Sequence, residues 1–199
     1  TAANQGNKMY AIHAGKAALN AHYKRIGWNA RAQEGAVDGW YQTKFTLKEE
    51  PLVSILVPNK DHTDDLDVCL NSFFERADYQ NYEFIIIENN SVLPETFAYY
   101  EKIEKEHDNV KVVYWEAGFN YSAINNFGFK FAKGDYIMLL NNDVELITPD
   151  IFQSMLGFCM RPEVGIVGAK LLYNDHTVQH AGVLVSAGGL AEHVSKGIH

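Results

Sequence analysis

Three polar side chains, Asn141, Asn142 and Asp143, directly follow the apolar run 136–140. This run is long enough to predict a strand that is buried on both faces. Ligands of open α/β sheets bind outside the carboxyl ends of the strands. Carboxylate and amide oxygens at that position, with Glu145 just beyond, are the ligands that hard divalent cations prefer. The triplet therefore predicts a cation site, and the alternative is a polar turn that caps a core strand.

Two earlier apolar runs also end in polar residues. The run 52–57 is followed by the polar residues 59–61, and the run 84–87 is followed by residues 88–91. Carboxyl ends of parallel strands share one edge of a sheet, so these clusters are expected at the same edge as Asp143. The chain has neither the G-x-G-x-x-G fingerprint after its first strand nor a G-x-x-x-x-G-K-[ST] motif. A bound diphosphate would then need a divalent cation to bridge its oxygens.

The elements that position these residues alternate between strand and helix. The predicted strands are 52–57, 84–87, 110–115, 136–140, 164–172 and 178–185, of which the last two form a hairpin followed by a turn at Gly188–Gly189. The predicted helices begin with Thr63 as N-cap, with Pro94 at N1 (stripe Phe97, Tyr100, Ile103), shortly before Ile124, and after Thr148. This alternation predicts an α/β fold with a mostly parallel, doubly wound, Rossmann-like sheet.

The first 50 residues differ in character from the rest. They predict a short helix over Met9–Tyr23 and an alternating edge strand over Trp40–Leu47, and Lys48–Pro51 then interrupts the pattern. No chemistry is apparent in this segment. We therefore divide the chain into a linker or packing arm, residues 1–50, and a ligand-binding domain, residues 51–199.

Composition restricts the partners and the compartment. The formal net charge of −8 argues against nucleic-acid binding through a basic surface, although a metal ion can still bind an anion locally. No apolar run approaches the roughly 18 residues of a membrane span, and no signal-peptide pattern opens the sequence. Cys69 and Cys159 are predicted to be buried thiols of a reducing compartment. We expect a cytoplasmic protein, and a piece of a longer one, since the sequence begins without methionine.

From Pro51 onward the sequence resembles the family-2 glycosyltransferases with the GT-A nucleotide-sugar-binding fold. The resemblance is carried by several motifs in the family's order, which are Val53–Asp61, Phe84–Ser91, Phe119–Gly128, Ala132–Tyr136, Leu140–Asp143, Val164–Tyr173 and Gln179–Gly182. Within the family, the sequence most resembles bacterial enzymes that build rhamnose-containing or other surface polysaccharides, often as one module of a longer chain. It implies a GT-A domain that is incomplete at its C-terminal end.

The resemblance implies a role for each strand-end cluster. Asn141–Asp143 stands where the family has its DxD-type motif, so Asp143 would ligate Mg²⁺ or Mn²⁺ on the diphosphate. Asn142 would face the ribose or the phosphate. Glu88 stands where the family usually has an aspartate that recognises the pyrimidine. It departs from that pattern by a longer side chain, although its carboxylate can still accept the ring N–H.

Further residues are implied in the nucleotide-sugar pocket. Those around the base, ribose and donor are Pro58, Asn59, Lys60, Asn90, Asn125, Asn126 and Lys133. The alternatives are a solvated helix-surface amide for Asn126 and a solvated helix end for Lys133. His180 is implied as a late metal ligand, with a plain hairpin histidine as its alternative. His193 and His199 are weaker candidates for the same role.

The implied activity is inverting transfer of a sugar from a UDP- or dTDP-sugar to a glycan or lipid-linked acceptor in bacterial polysaccharide biosynthesis. Its general base would be a carboxylate C-terminal to the metal motif. Glu192 is the only acidic residue after Asp175 and stands in no base motif, so we expect the base beyond His199. Peripheral membrane association would come from the rest of the protein.

Two other classes of protein compete with this interpretation. The first is a nucleotide-binding or scaffolding module that keeps the fold without turnover. The second is a flavodoxin-like or receiver-type domain, which is disfavoured because such domains place acidic residues at the first strand end and need no later Asn-Asn-Asp.

Overall fold

A computed structural model of the chain describes residues 9–185, 189 and 191–198. Two compact units are present, one formed by residues 48–152 and the other by residues 1–47 together with 153–199. Among the described residues, no helix combines the length and the hydropathy that crossing a membrane would require.

Five helices and ten strands are defined in the described ranges. The helices are α1 (Met9–Arg25), α2 (Thr63–Arg76), α3 (Pro94–Glu106), α4 (Tyr121–Phe129) and α5 (Ile151–Cys159). The strands are β1 (Ala30–Glu34), β2 (Tyr41–Phe45), β3 (Val53–Asn59), β4 (Tyr82–Glu88), β5 (Val110–Tyr114), β6 (Tyr136–Leu139), β7 (Leu171–Leu172), β8 (Val178–His180), β9 (Val183–Val185) and β10 (Ala191–His193).

Unit 48–152 is built on a four-stranded sheet with the order β5-β4-β3-β6, in which every pair is parallel. Its two central strands are nearly continuous runs of buried side chains, as an interior parallel strand requires. The alternating α/β arrangement and the parallel sheet predicted from the sequence are confirmed.

Strand β3 extends two residues beyond the predicted end at Val57 and includes Pro58 and Asn59. The backbone of Leu56 faces β6, since its carbonyl accepts from Leu140 N, whereas the Asn59 carbonyl faces β4 and accepts from Asn89 N. Pro58 therefore faces the β6 side, past the last residue of β3 that pairs with β6. No ladder donor is lost there, so the strand continues through the proline.

Strand β6 was predicted to be buried on both faces, and this is wrong. Its first three residues are half-buried, and Leu139 is 52% exposed. In the described part of the chain β6 pairs with β3 alone and forms the edge of the sheet. Its carboxyl end is therefore open to solvent.

Helix α2 buries the predicted face, with Leu66, Cys69 and Leu70 fully inaccessible. Thr63 is the first helical residue and not the N-cap as predicted. His62 precedes the helix and makes no capping side-chain bond. Two aspartates in the first turn provide the negative charge that favours a helix N-terminus.

In the other unit, α1 agrees with prediction, and β2 pairs in antiparallel fashion with the unpredicted β1. The predicted strand 164–172 is wrong except for β7, which pairs with β8 as the predicted hairpin. The residues before β7 are largely exposed, and 91% of Ile166 is accessible. The predicted strand 178–185 is interrupted at Gly182, where φ is 122°, and β9 then pairs with β10. Gly188 of the predicted turn lies outside the described residues.

Candidate functional site

The carboxyl ends of β3, β4 and β6 bring a connected set of polar side chains together in unit 48–152. Asn142 Nδ2 donates to Asn59 Oδ1 at 2.7 Å. Asn59 Nδ2 donates to Tyr100 Oη at 2.8 Å, and Tyr100 Oη donates to Glu88 Oε2 at 2.8 Å. We call Glu88, Tyr100, Asn59 and Asn142 the relay. It joins two of the predicted strand-end clusters to the third.

Glu88 ends the relay as a buried carboxylate with 3% of its surface exposed. Besides Tyr100, it accepts a hydrogen bond from Ser91 Oγ at 2.5 Å and another from Ser91 N. Bonds from three donors offset the cost of burying this group. Both carboxylate oxygens are engaged inside the protein. Recognition of a pyrimidine by Glu88 stays a prediction.

Asp61 connects the loop after β3 to the start of α3. Its Oδ1 accepts from Val92 N at 2.8 Å and from Leu93 N at 3.0 Å, and its own N–H donates to Ser91 Oγ at 2.9 Å. The Leu93 and Val92 N–H groups, with Lys60 nearby, hold the pKa of Asp61 below its usual value, against the opposing effect of burial. Asp61 adopts a positive φ of 61°. Two loops at the carboxyl edge are thereby fixed to each other.

The predicted cation ligand, Asp143, is exposed in the turn after β6. The nearby Asn141 accepts a weak bond from Cys69 Sγ at 3.8 Å. Burial raises the pKa of the Cys69 thiol to about 12, and the Asp143 charge adds to this increase. Glu145 forms an ion pair with Arg76 at 2.7 Å. The loop that carries Asp143 therefore contacts α2 at two positions, about two turns apart on one face of the helix.

Among the described residues, no group of three or more His, Cys, Asp or Glu side chains is arranged to hold a metal ion. Mg²⁺ is commonly bound through one or two carboxylates together with waters and substrate phosphates. An exposed Asp143 beside the Asn142 amide fits that open type of site. Asp143 and Asn142 therefore suit a cation that binds together with a diphosphate.

His180, the other predicted metal ligand, belongs to the unit that contains 153–199. Its Nδ1 lies 2.9 Å from Nδ1 of His193, across β8 and β10. Such a bond requires one ring to donate and the other to accept. The structure thus brings together two of the three candidate histidines. His199 lies outside the described residues.

Lys133 does not belong to the carboxyl edge, contrary to expectation. Its backbone N–H donates to Glu83 Oε1 at 2.7 Å and to Ser54 Oγ at 3.2 Å, and its Nζ lies 3.8 Å from Glu83 Oε2. Ser54 and Glu83 stand at the amino ends of β3 and β4. About five residues of strand, or roughly 16 Å, separate them from the relay. The assignment of Lys133 to the donor site is therefore corrected.

The remaining predicted residues occupy loops and one helix in the same unit. Lys60 and Asn90 are exposed, and Asn90 Nδ2 donates to Ala117 O at 2.8 Å. In α4, Asn126 is exposed, whereas Asn125 is buried and its Nδ2 donates to Tyr121 O. The Oδ1 of Asn125 is buried without a hydrogen-bond partner in the described structure. It is an unused acceptor in the second turn of α4.

Tyr100 is a functional candidate that the sequence did not identify, whereas Ser91 and Asp61 were predicted as members of the strand-end clusters but without individual roles. The predicted inward stripe of α3 included Phe97, which is 37% exposed, whereas the buried positions are Thr96, Tyr100 and Ile103. A tyrosine at helical spacing among apolar residues is typical of a core position. The signal available was its hydroxyl, since a buried tyrosine usually finds a polar partner.

The Glycosyl transferase family 2 profile matches residues 54–184. An uncharacterized protein of Sinorhizobium fredii is 38% identical over 193 residues, which cover 96% of this chain and 21% of that protein. The O-antigen biosynthesis protein RfbC of Myxococcus xanthus is 40% identical over 183 residues, which cover 92% of this chain and 14% of that protein. The chain thus spans about a fifth or less of the length of these relatives.

Among solved structures, a mannosyltransferase from Pyrobaculum calidifontis, in complex with GDP-Man and Mn²⁺, superposes with a TM-score of 0.54 at 15% identity. The superposition covers 79% of this chain and 43% of that one. It confirms the GT-A type of α/β fold. Because the family profile matches well over half of the sequence, including all three strand-end clusters, the chain belongs to Glycosyl transferase family 2.

Proposed function

We propose that this chain supplies the donor-binding part of an inverting, metal-dependent glycosyltransferase that uses a nucleotide-diphosphate sugar, UDP or dTDP being the nucleotide. The observation that carries the proposal is the relay, which ends beside an exposed carboxylate at the carboxyl edge of a parallel sheet. Ligands of open α/β sheets bind at that edge. The fold shared with a mannosyltransferase supports the same conclusion.

Asp143 would hold Mg²⁺ or Mn²⁺ through a carboxylate oxygen, with Asn142 beside it. When bound, the cation neutralises charge on the departing diphosphate. Asn59 and Pro58 would lie against the base and ribose, and Asn125 and Asn126 would face the donor from α4. The acceptor, a glycan or a lipid-linked glycan, and the carboxylate that deprotonates it belong to the whole protein. The 40% identity to an O-antigen biosynthesis protein supports a polysaccharide product.

The test is calorimetric titration of UDP, dTDP and GDP in the presence of Mn²⁺ or of EDTA. Asp143→Asn keeps the side-chain shape but removes the negative charge, and we expect Mn²⁺-dependent affinity to fall at least tenfold. Asp135→Asn is the matched control because Asp135 is an exposed aspartate at the opposite end of β6. Equal affinities for the parent and Asp143→Asn with Mn²⁺ present would contradict the metal assignment.

A further inference from the structure

Tyr100 is a buried helix residue that contacts two strand ends. Its side chain is 1% exposed, and its hydroxyl lies 2.8 Å from both Asn59 Nδ2 and Glu88 Oε2. Burial raises the pKa of this phenol above its ordinary value, so the hydroxyl keeps its proton. Tyr100 therefore always has one hydrogen to donate, and it can donate it to only one neighbour.

The chemistry of Glu88 decides which neighbour receives that hydrogen. A carboxylate can only accept, so Tyr100 donates to Glu88 and must accept from Asn59. Asn59 consequently presents its NH₂ group to Tyr100 and its carbonyl oxygen to Asn142. Asn142 in turn must donate to that oxygen through Nδ2. The direction of every bond in the relay follows from one buried negative charge.

This ordering has a consequence at the outer end of the relay. An asparagine amide has one donor end and one acceptor end, and Asn142 uses its donor end internally. The Oδ1 of Asn142 is therefore not bonded to Asn59, and Asn142 directly precedes the exposed Asp143. An oxygen there suits a hard cation or a ribose hydroxyl, whereas an NH₂ group would repel the cation.

We propose that Tyr100 is a positioning residue of the nucleotide site, which orients the Asn59 and Asn142 amides so that Asn142 presents oxygen beside Asp143. This inference rests on the proposed function, because it assigns the oriented amide to the same nucleotide and cation. Tyr100 acts through Asn59 and touches no ligand itself.

The proposal predicts a specific dependence between two substitutions. Asn142→Asp replaces the donor end of Asn142 with oxygen. When Tyr100 is unchanged, that new oxygen faces the fixed carbonyl oxygen of Asn59, so two hydrogen-bond acceptors oppose each other. Tyr100→Phe removes the hydroxyl, so the Asn59 amide is free to rotate and donate to the new carboxylate. The effect of Asn142→Asp on affinity should therefore be more favourable in the Tyr100→Phe background than in the parent.

The experiment measures the affinity for UDP with Mn²⁺, and the free energy of unfolding without ligand, in all four combinations of these variants. We expect Tyr100→Phe alone to weaken UDP binding by about threefold to tenfold. We expect the effect of Asn142→Asp on affinity to differ by at least threefold between the two backgrounds. Tyr99→Phe is the matched control background, since Tyr99 is the neighbouring residue of the same helix and its buried hydroxyl takes no part in the relay.

Glu88→Gln provides a second test if Tyr100→Phe does not fold, since a glutamine amide no longer dictates the direction of the bond. Equal effects of Asn142→Asp in the parent and in either relay variant overturn the proposal. A parent that binds no nucleoside diphosphate with Mn²⁺ contradicts the proposed function instead. In that case the unfolding free energies still show whether Tyr100 orients the amides.

Discussion

Among the residues that the structure describes, Glu88 is the one buried acidic residue. Its two carboxylate oxygens accept hydrogen bonds from three donors. The Ser91 backbone N–H cannot reverse its direction, whereas the two hydroxyls can rotate. A substitution at Glu88 therefore tests the internal role of the carboxylate separately from any role in binding a base.

Glu88→Gln should lower the free energy of unfolding by about 1–3 kcal/mol, because it weakens charge-assisted bonds in a buried position. Urea unfolding measures this loss. Glu101→Gln is the control, since Glu101 is an exposed residue of α3 with 76% of its side chain accessible, and its effect should stay within about 0.5 kcal/mol. Equal stability of Glu88→Gln and the parent would contradict the internal role.

The same variant tests base recognition. If Glu88 also accepts the ring N–H of a pyrimidine, Glu88→Gln should weaken the binding of uridine and thymidine diphosphates and leave Mn²⁺ affinity unchanged. Calorimetry with both nucleotides measures this. A purine diphosphate that binds the parent as tightly as a pyrimidine one would show that the pocket does not distinguish bases through this carboxylate.

Cys69 provides a pH-dependent prediction. Burial raises its pKa from 9.0 to about 12 in the folded protein. The unfolded chain therefore releases this proton at a lower pH than the folded protein does. The contribution of the Cys69 thiol to the free energy of unfolding is complete below pH 9 and is lost as the pH rises toward 12. Between pH 7 and pH 10 the parent should lose about 1 kcal/mol more than Cys69→Ala, as measured by urea unfolding at both values. Cys159→Ala is the control, and identical pH dependence of parent and Cys69→Ala would contradict the prediction.

Site residues could be identified from the sequence where a local pattern determines their position, and not where a contact with a distant residue does. Asn59, Glu88, Asn142 and Asp143 each stand at or just beyond the end of an apolar run, so local pattern alone placed them at one edge. Tyr100 could not be found this way, because its bond to Asn59 spans 41 positions of the chain. Lys133 was misplaced because a residue just before a strand lies at the amino edge, where its N–H meets Glu83 and Ser54.

At the scale of elements, α4 lies closely against the sheet through Gly128. A Cβ built at Gly128 would lie 2.3 Å from Ile87 Cδ1 and 2.9 Å from Ile87 Cγ1. Ile87 is fully buried and directly precedes Glu88, so it has little room to move. The glycine therefore permits a close approach between helix and strand next to the relay.

Gly128→Ala should destabilise the protein by about 1–2 kcal/mol, since overpacking of a core outweighs the gain of about 1 kcal/mol in helix propensity. Gly118→Ala, in the loop before α4, is the matched control, because no atom lies within 4 Å of the position that its new methyl group would take. Urea unfolding compares the two variants. Stability of Gly128→Ala at or above that of the parent would show that α4 can move away from the sheet without cost.

The strands that are buried in the parallel sheet were predicted more accurately than the strands outside it. β3, β4 and β5 were placed to within about two residues at each end, because a buried parallel strand has a long apolar run. β1, with the sequence Ala-Arg-Ala-Gln-Glu, lacks such a run and was missed. Residues 164–170 have one but pair with no strand in the described structure, so apolar character alone was misleading there.

At the scale of the whole molecule, charge and organisation determine how a ligand is bound. The chain carries a formal net charge of −8, which opposes the approach of a nucleoside diphosphate. Under the proposed function, a divalent cation at Asp143 would offset that repulsion locally. Every residue of the relay belongs to unit 48–152. The ligand should therefore stabilise that unit, and only when nucleotide and cation are present together.

Tryptophan fluorescence can report on this unit separately, because Trp115 lies within it and Trp28 and Trp40 lie in the other. In a Trp28→Phe, Trp40→Phe variant, a ligand at about 100 times its Kd adds roughly 2.7 kcal/mol to stability. For a unit of about 100 residues, this corresponds to an increase on the order of 10 °C in the melting temperature. We expect that increase with UDP or dTDP and Mn²⁺ together, and little with either alone. An equal increase with the nucleotide in EDTA would show that the diphosphate is bound without the cation, and Asp143 would then lose its assigned role.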